Sequence, residues 1–339
     1  MADFVVLSKQ DLAAVLDLQT VMDAVEQAFV QKSARQASLI PMLYHALHAQ
    51  ADLDIKAGHM GRQGIYGLKL ISWFGRNPEK GLPALQGTTL LFDDTTGQPI
   101  ALLNAEDIGL LRTGAAAGLG AKHLAAAGAH TLLLVGTGRQ AAYHMAAMAL
   151  AVPGLDTILL YNPHGADKAA ARLPALQAEA QTLLAACGKQ LTATVAVADD
   201  LPAAVGQSQI IVTATPAQTA LIDAAWVALG THFSCMGADV KGKQELDPMI
   251  LKKARVFADD LEQAIKVGEC QNAINRGIMF QTELAGELGA VMAKTMAGRM
   301  HPEQITVFDS TGIALQDLAV AKAAYDLARR KGIGTAVAL

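Results

Sequence analysis

Hydrophobic positions change period along this 339-residue chain, and each change predicts a different kind of element. Over residues 10–36, Val21, Val25, Ala28 and Phe29 recur at helical spacing. Asp11 or Asp17 stands ready to accept the first free N–H groups of that helix. From Tyr44 to Phe92 the apolar runs shorten to Leu53–Ile55, Tyr66–Ile71 and Gly87–Phe92, broken by Gly, Pro and Asn. That pattern predicts strands of a mixed or antiparallel sheet. Asp93–Pro99 is a turn that returns Ile100–Leu103 as a hairpin partner, and residues 105–127, rich in Ala and Gly, predict a helix.

Beyond this point strand and helix alternate. Thr131–Val135 predicts a strand, Ala141–Ala151 a helix, Thr157–Tyr161 a strand and Ala166–Cys187 a helix. Thr192–Val197 and Gln209–Thr213 follow as strands around a helix near Leu201–Val205, and His232–Met236 and Arg255–Ala258 extend the series. This is the period of parallel βαβ units. Residues 312–331 predict one long amphipathic helix. The expected fold class is therefore α/β, a Rossmann doubly wound parallel sheet with a second α+β domain. The expected boundaries are 113–311 for the Rossmann domain, and 1–112 with 312–339 for the other, the last helix returning to the first part of the chain.

Composition narrows the function classes. Hydrophobic residues make up 52% and charged ones 17%, which provides a large interior and argues against long disordered segments. A net charge of −4 and the lack of any Lys/Arg cluster argue against a nucleic-acid or membrane-surface partner. Apolar stretches are interrupted before they reach bilayer length, and the start of the chain carries an early acid rather than the basic region of a leader peptide. Cys187, Cys235 and Cys270 are far apart, form no Cys-x-x-Cys and have no metal-ligand spacing. A reducing cytoplasm is expected, with no metal.

The chemistry concentrates at a few places. Gly136–Ala141 reads Gly-x-Gly-x-x-Ala between a strand and a helix. Gly136 permits the tight turn, Gly138 lets a pyrophosphate approach the backbone, and Ala141 lets the helix lie close to the strand. The helix N-terminus offers N–H groups and partial positive charge to the phosphates. The alternative is an ordinary glycine-rich βα turn, and the placement within a βαβ series favours the nucleotide site. The second strand ends at Asn162 rather than at an acid, with His164 and Lys168 nearby. Asn162 can bond ribose hydroxyls without repelling a 2′-phosphate, so NAD and NADP both remain open. His164 and Lys168 read equally as solvated loop positions.

Lys56, Lys69 and Arg112 are basic residues ahead of this turn. Lys69 lies inside an apolar strand-like run, where a cation needs a partner or a ligand. Arg112 is flanked by small and apolar residues and carries a fork suited to a carboxylate. Asp239 follows an apolar strand, where it serves either as a turn aspartate or as a proton relay to an amine nitrogen. Asp309–Gly312 is a strand-to-helix turn that caps the last helix or faces a nicotinamide.

Taken in order, Tyr66–Lys69, Gly81–Gly87, Leu111–Gly114, Gly136–Ala141, Gly237–Leu246, Gly286–Gly289 and Phe308–Gly312 resemble the ornithine cyclodeaminase/μ-crystallin family, which includes archaeal-type alanine dehydrogenases and ketimine reductases. The resemblance implies a homodimer whose first domain, with the returning helix, holds substrate and builds the dimer contact. It implies that Lys69 and Arg112 bind a substrate carboxylate, that Lys56 acts toward the same group, and that Asp239 acts at the amine, with Lys69 counted beside it in the catalytic set. Arg139, Gln140, Asn162, His164, Thr215, Met236, Gly237, Lys243 and Ser310, together with Arg112, Thr113, Gly136, Gly138 and Asp239, fall where the cofactor is held. Cyclodeaminases of the family carry a glutamate at the position of Lys56, to receive the distal amine of ornithine. A lysine there repels that ammonium by an amount on the order of 1 kcal/mol in water, and more when desolvated.

Asn162–His164 and Gly268–Gln271 also resemble the iminosuccinate-reductase branch. The expected activity is NAD(P)H-dependent reduction of a small 2-imino acid, the imine of pyruvate or iminosuccinate, to the L-amino acid. The rivals are an ornithine cyclodeaminase that recycles its NAD and a non-catalytic NADPH-binding protein like the crystallin namesake.

Overall fold

A computed structural model of the protein describes residues 4–338. The chain divides into two compact units, one running to Arg112 and resuming at Ile313, the other Thr113–Gly312. Each is built on its own sheet.

The first unit opens with β1 (Phe4–Leu7), α1 (Lys9–Val15) and α2 (Leu18–Ser33). The single helix expected over residues 10–36 is thus two. Ser8 and Asp11 close a capping box at the start of α1, and Leu16 turns extended. Asp17 then restarts the helix by accepting the Thr20 N–H at 2.7 Å. α2 buries Val21, Val25, Ala28 and Phe29, the stripe that the spacing marks out. Next come β2 (Ala37–His48), β3 (Ala51–Met60), β4 (Ile65–Phe74), β5 (Leu85–Asp93) and β6 (Pro99–Asn104), and then α3 (Ala105–Leu124), within which the first unit ends. β2 begins well before Tyr44, where strands were expected. Pro41 sits within a register shift between Ile40 and Leu43 that interrupts the alternation. It is tolerated because β2 is an edge strand.

The second unit contains β7 (Thr131–Val135), α4 (Ala141–Ala151), β8 (Thr157–Tyr161), α5 (Ala166–Ala186), β9 (Thr194–Val197), α6 (Leu201–Gln207), β10 (Ile210–Thr213) and β11 (His232–Cys235). It continues with α7 (Pro248–Lys253), β12 (Arg255–Ala258), α8 (Leu261–Val267), α9 (Cys270–Asn275), β13 (Gly286–Glu287), α10 (Leu288–Met292) and β14 (Thr306–Asp309). The sheet order is β13-β12-β14-β11-β10-β7-β8-β9, and every neighbouring pair is parallel. From β7 the chain winds one way through β8 to β9, then crosses back to β10 and winds the other way. The order therefore reverses between β7 and β10, which makes this a Rossmann doubly wound sheet with its ligand crevice at the carboxyl ends of those strands. β7, β10, β11 and β14 are buried at every residue, as parallel strands covered on both faces must be. Leu133, Val135, Ile211, Phe233, Val256 and Val307 form the centre of that core.

The chain then returns to the first unit through α11 (Ala314–Lys331) and β15 (Thr335–Val337), completing a sheet of order β15-β1-β6-β5-β4-β3-β2. α11 crosses β3, β4 and β5 and packs on α2. Two glycines make room for it. Gly58 and Gly67 face each other across β3 and β4. A Cβ on Gly58 would lie 2.8 Å from Leu315 Cδ2, and one on Gly67 would lie 2.9 Å from Leu318 Cδ2. Among the described residues no helix is long and apolar enough to cross a membrane.

Candidate active site

In the first unit the sheet register brings the expected cations together. Lys56 on β3 stands directly opposite Lys69 on β4, and Lys69 stands opposite Thr89 on β5. α11 supplies two residues that the sequence reading did not select, Gln316 and Asp317. Lys69 Nζ donates to Asp317 Oδ1 at 3.0 Å, and Arg112 Nε lies 3.4 Å from the same oxygen. Arg112 Nη1 donates to Gln316 Oε1 at 3.0 Å. Lys69 is only 3% exposed and Asp317 is fully buried.

Burial pushes the Lys69 ammonium down, Asp317 pulls it back up, and the charges of Arg112 and Lys56 press it down again, to about 8. Burial pushes the Asp317 carboxyl up, but Lys69 and Arg112, with the Lys69 hydrogen bond and the Lys56 charge, outweigh it and hold it below the usual carboxylate range. Asp317 is therefore an ionised carboxylate with two cations on one oxygen. Its Oδ2, Gln316 Nε2 and Thr89 Oγ1 are buried without a hydrogen-bond partner in the chain. One signal for Asp317 was present in the sequence: it is an acid set inside the apolar stripe of the last helix, between Leu315 and Leu318.

In the second unit, the turn after β7 has the form that a dinucleotide needs. Gly136 has φ +113°, and a Cβ there would lie 2.6 Å from Ala214 O. Fold geometry alone demands that glycine. Gly138 differs, because a Cβ on it would meet nothing within 4 Å. Its bare backbone makes a cradle that a side chain would fill, which fits the approach of a phosphate. No side chain caps α4 at Gln140, so the positive end of that helix is open to an anion. Asn162 Nδ2 donates to Thr137 Oγ1 at 2.7 Å, and Asn162 Oδ1 accepts the His164 N–H at 2.9 Å. Asn162 thus fastens the glycine turn to the end of β8. Arg139 and His164 are exposed beside it.

The remaining expected positions follow β10, β11 and β14. Thr215, Met236 and Ser310 are buried, as is Thr113 on α3, and Gly237 is half-buried. Asp239 is half-exposed and accepts from Lys243 Nζ at 2.6 Å. Behind these loops lie four buried carboxylates, Glu245, Asp259, Glu269 and Asp309, of which only Asp309 drew a reading from sequence, as part of the strand-to-helix turn. Glu245 accepts the Thr215 N–H and hydroxyl, each at 2.7 Å, and the Gly237 N–H at 3.0 Å. Asp259 accepts the Ser310 hydroxyl at 3.1 Å, the Thr311 hydroxyl at 3.0 Å and the Gly312 N–H at 2.8 Å. Burial pushes all four upward, Asp309 to about 7. Cys270 is fully buried. Among the described residues no group of three or more His, Cys, Asp or Glu side chains is placed to hold a metal ion.

A doubly wound sheet with an open glycine turn, joined in one chain to a cation cluster on a second sheet, defines a nucleotide-binding protein of the Rossmann class. Residues 3–332 match the model of the ornithine cyclodeaminase/mu-crystallin family, and the chain belongs to that family. Alanine dehydrogenase of Archaeoglobus fulgidus is 33% identical over 332 residues, covering 98% of this chain and 97% of that protein. The crystal structure of the iminosuccinate reductase of Paracoccus denitrificans in complex with NAD+ superposes with a TM-score of 0.91 at 32% identity, covering 99% of this chain and 100% of that one. An archaeal alanine dehydrogenase dimer with bound NAD gives a TM-score of 0.87 at 32% identity, covering 99% of each chain.

Two outcomes follow from these charges. Asp317→Asn leaves Lys69 and Arg112 buried on a neutral partner, and is expected to lower stability by about 3–5 kcal/mol in denaturant titration. A loss within about 0.5 kcal/mol would mean that the carboxylate does not hold the pair. The second outcome concerns Asp309, whose folded value of about 7 exceeds its ordinary 3.8. Its stabilising contribution is complete below the ordinary value and is lost as pH rises through the folded one. Wild-type stability should therefore fall from pH 4 to pH 7 more steeply than that of Asp309→Asn, as read by thermal melting across that range; parallel curves would contradict the burial effect.

Proposed function

We propose that this protein reduces a small 2-imino acid to the L-amino acid with NADH or NADPH. The observation that carries this reading is the occurrence, in one chain, of a bare-backbone nucleotide turn at Gly138 and a buried cation pair on Asp317. The relatives support it: an alanine dehydrogenase and an iminosuccinate reductase, with NAD bound in their crystal structures. A reduced nicotinamide, when bound, supplies hydride to the imine carbon. Lys69 and Arg112 hold the substrate carboxylate, and Asp317 keeps both cations in place. Asp239 relays to the nitrogen the proton it gains as the C=N bond becomes C–N, drawn from the Lys243 ammonium that donates to its oxygen. Gly136, Gly138, Arg139, Gln140, Asn162, His164, Thr215, Met236, Gly237 and Ser310 hold the cofactor, with Arg112 and Thr113 beside it.

Lys56 refines the substrate. A third cation in register with Lys69 suits a second carboxylate and opposes the distal ammonium of ornithine. This favours a dicarboxylic imine over the cyclodeaminase reading. The test is a panel of oxaloacetate plus ammonia, pyruvate plus ammonia and a cyclic imino acid, each with both cofactors. The expected result is loss of reduced-cofactor absorbance, fastest with oxaloacetate plus ammonia. Lys56→Ala should raise KM for that substrate about tenfold or more, with a smaller change in kcat. Ammonia release from ornithine without cofactor turnover, or cofactor binding without turnover of any imine, would overturn the reading.

We also infer a cytoplasmic homodimer. Three free cysteines suit a reducing compartment. The edge strand β2 exposes Ile40, Met42, Leu43, Tyr44 and Leu47, an apolar edge of the kind that pairs with another chain. The archaeal alanine dehydrogenase is a dimer. Light scattering on the purified protein should give twice the chain mass, and Leu43→Asp with Tyr44→Asp should give the monomer mass. A wild-type monomer, or a double variant that stays dimeric, would remove this edge from the interface.

A further inference from the structure

We infer that Glu245 is a positioning residue for the nicotinamide half of the dinucleotide, acting at the end of a relay of buried carboxylates. The inference rests on the nucleotide reading above.

The relay is continuous. Glu245 receives the Thr215 N–H and hydroxyl on Oε1 and the Gly237 N–H on Oε2, so one carboxylate ties the loop after β10 to the loop after β11. The Glu245 N–H donates to Glu269 Oε1 at 2.9 Å, and the Leu246 N–H donates to the same oxygen at 2.6 Å. The Glu269 N–H donates to Asp309 Oδ1, and the Cys270 N–H to Asp309 Oδ2, both at 3.0 Å. Asp309 ends β14. The next three residues, Ser310, Thr311 and Gly312, are gathered by Asp259 at the end of β12. Glu245 and Glu269 are thus each fixed by the acid behind, Asp259 holds the turn after Asp309, and each of the four binds donors rather than cations. No Lys, Arg or His lies within 4.0 Å of any of the four among the described residues.

Two glycines show how closely the carboxylates approach the backbone. A Cβ on Gly237 would lie 2.5 Å from Glu245 Oε2, and one on Gly268 would lie 2.5 Å from Asp309 Oδ2. Stability alone does not call for such an array, since apolar residues of similar volume fill a core at lower desolvation cost. What the array adds is geometry. A fully satisfied buried network holds its members in one arrangement. The strands it ties are β10, β11, β14 and β12, all on one side of the reversal between β7 and β10. In a doubly wound sheet a dinucleotide lies across that reversal. Its adenosine half lies toward β8, so the nicotinamide half falls on the side of the relay.

Binding of two probes separates positioning from general support. ADP-ribose carries everything in the dinucleotide but the nicotinamide ring; NADH carries the ring as well. In Glu245→Gln an amide N–H faces a backbone N–H, so one loop tie becomes a repulsion. By calorimetry on the full chain, Glu245→Gln should raise the NADH Kd about tenfold or more, while the ADP-ribose Kd stays within about twofold. Thr215→Val, which removes the hydroxyl that donates to Glu245 and accepts the Ala217 N–H at 3.3 Å, should raise the NADH Kd several-fold alone and add little in the Glu245→Gln background. If Glu245→Gln does not fold, Glu245→Asp, which draws the carboxylate back from both loops, carries the test with the same two probes.

Equal loss of both ligands, or no loss of either, overturns the inference while leaving the nucleotide reading standing. A wild-type protein that binds neither probe overturns both.

Discussion

A fully buried carboxylate stays ionised where cations or enough hydrogen-bond donors stand beside it, and Asp317 meets that condition by sharing one oxygen between Lys69 and Arg112. Much of the first unit follows from this contact. The acid lies 248 residues beyond Lys69, so the chain must complete the whole of its second unit before α11 can deliver it. α11 can reach the sheet because Gly58 and Gly67 leave a trough across β3 and β4. The antiparallel register then fixes Lys69 between Lys56 and Thr89 on the face that α11 covers. Glycine trough, helix return and cation pair form one device, and loss of the acid strands both cations at once.

The second unit solves a similar problem by opposite means. Glu245, Glu269, Asp309 and Asp259 are as buried as Asp317, but their partners are N–H and O–H groups. Hydrogen bonds lower a carboxyl's proton affinity less than cations at this depth, and burial prevails, so these acids shift upward while Asp317 shifts downward. The difference matches the geometry each part needs. A cation pair must keep its charge to attract an anion. A loop scaffold needs many short directional bonds, and a carboxylate accepts several at once.

Local chemistry explains what the sequence made legible. The turn at Gly136–Ala141 was readable because strand, glycines and helix adjoin within about twenty residues. The buried stripe of α2 was readable because helical period survives without knowledge of the partner. β2 was legible only from Tyr44 onward, because Pro41 and the bulge beside it break the alternation. The split between α1 and α2 was hidden because Asp11 and Asp17 both resemble caps. Asp11 is in fact the third helical residue of a box opened by Ser8, while Asp17 is a true cap. Asp317 and Gln316 escaped because their partners are remote. Glu245 and Glu269 stood inside motifs that carried the family resemblance, yet nothing in their spacing says that each binds the backbone of another loop.

The like-charged pair at Lys56 and Lys69 bears on why such a cluster exists. Like charges directly opposite in an antiparallel ladder are destabilising. Burial of Lys69 adds to the strain, and the Lys56 charge lowers its hold on a proton. Asp317 offsets part of this cost, with Lys69 and Arg112 sharing one of its oxygens. A sheet selected for stability alone would place Thr or Val at these positions. Sites that break a local rule in this way are where proteins trade stability for function. The group that best relieves the cluster is an added anion, since it strengthens every cation at once and lifts the Lys69 ammonium back toward its ordinary range.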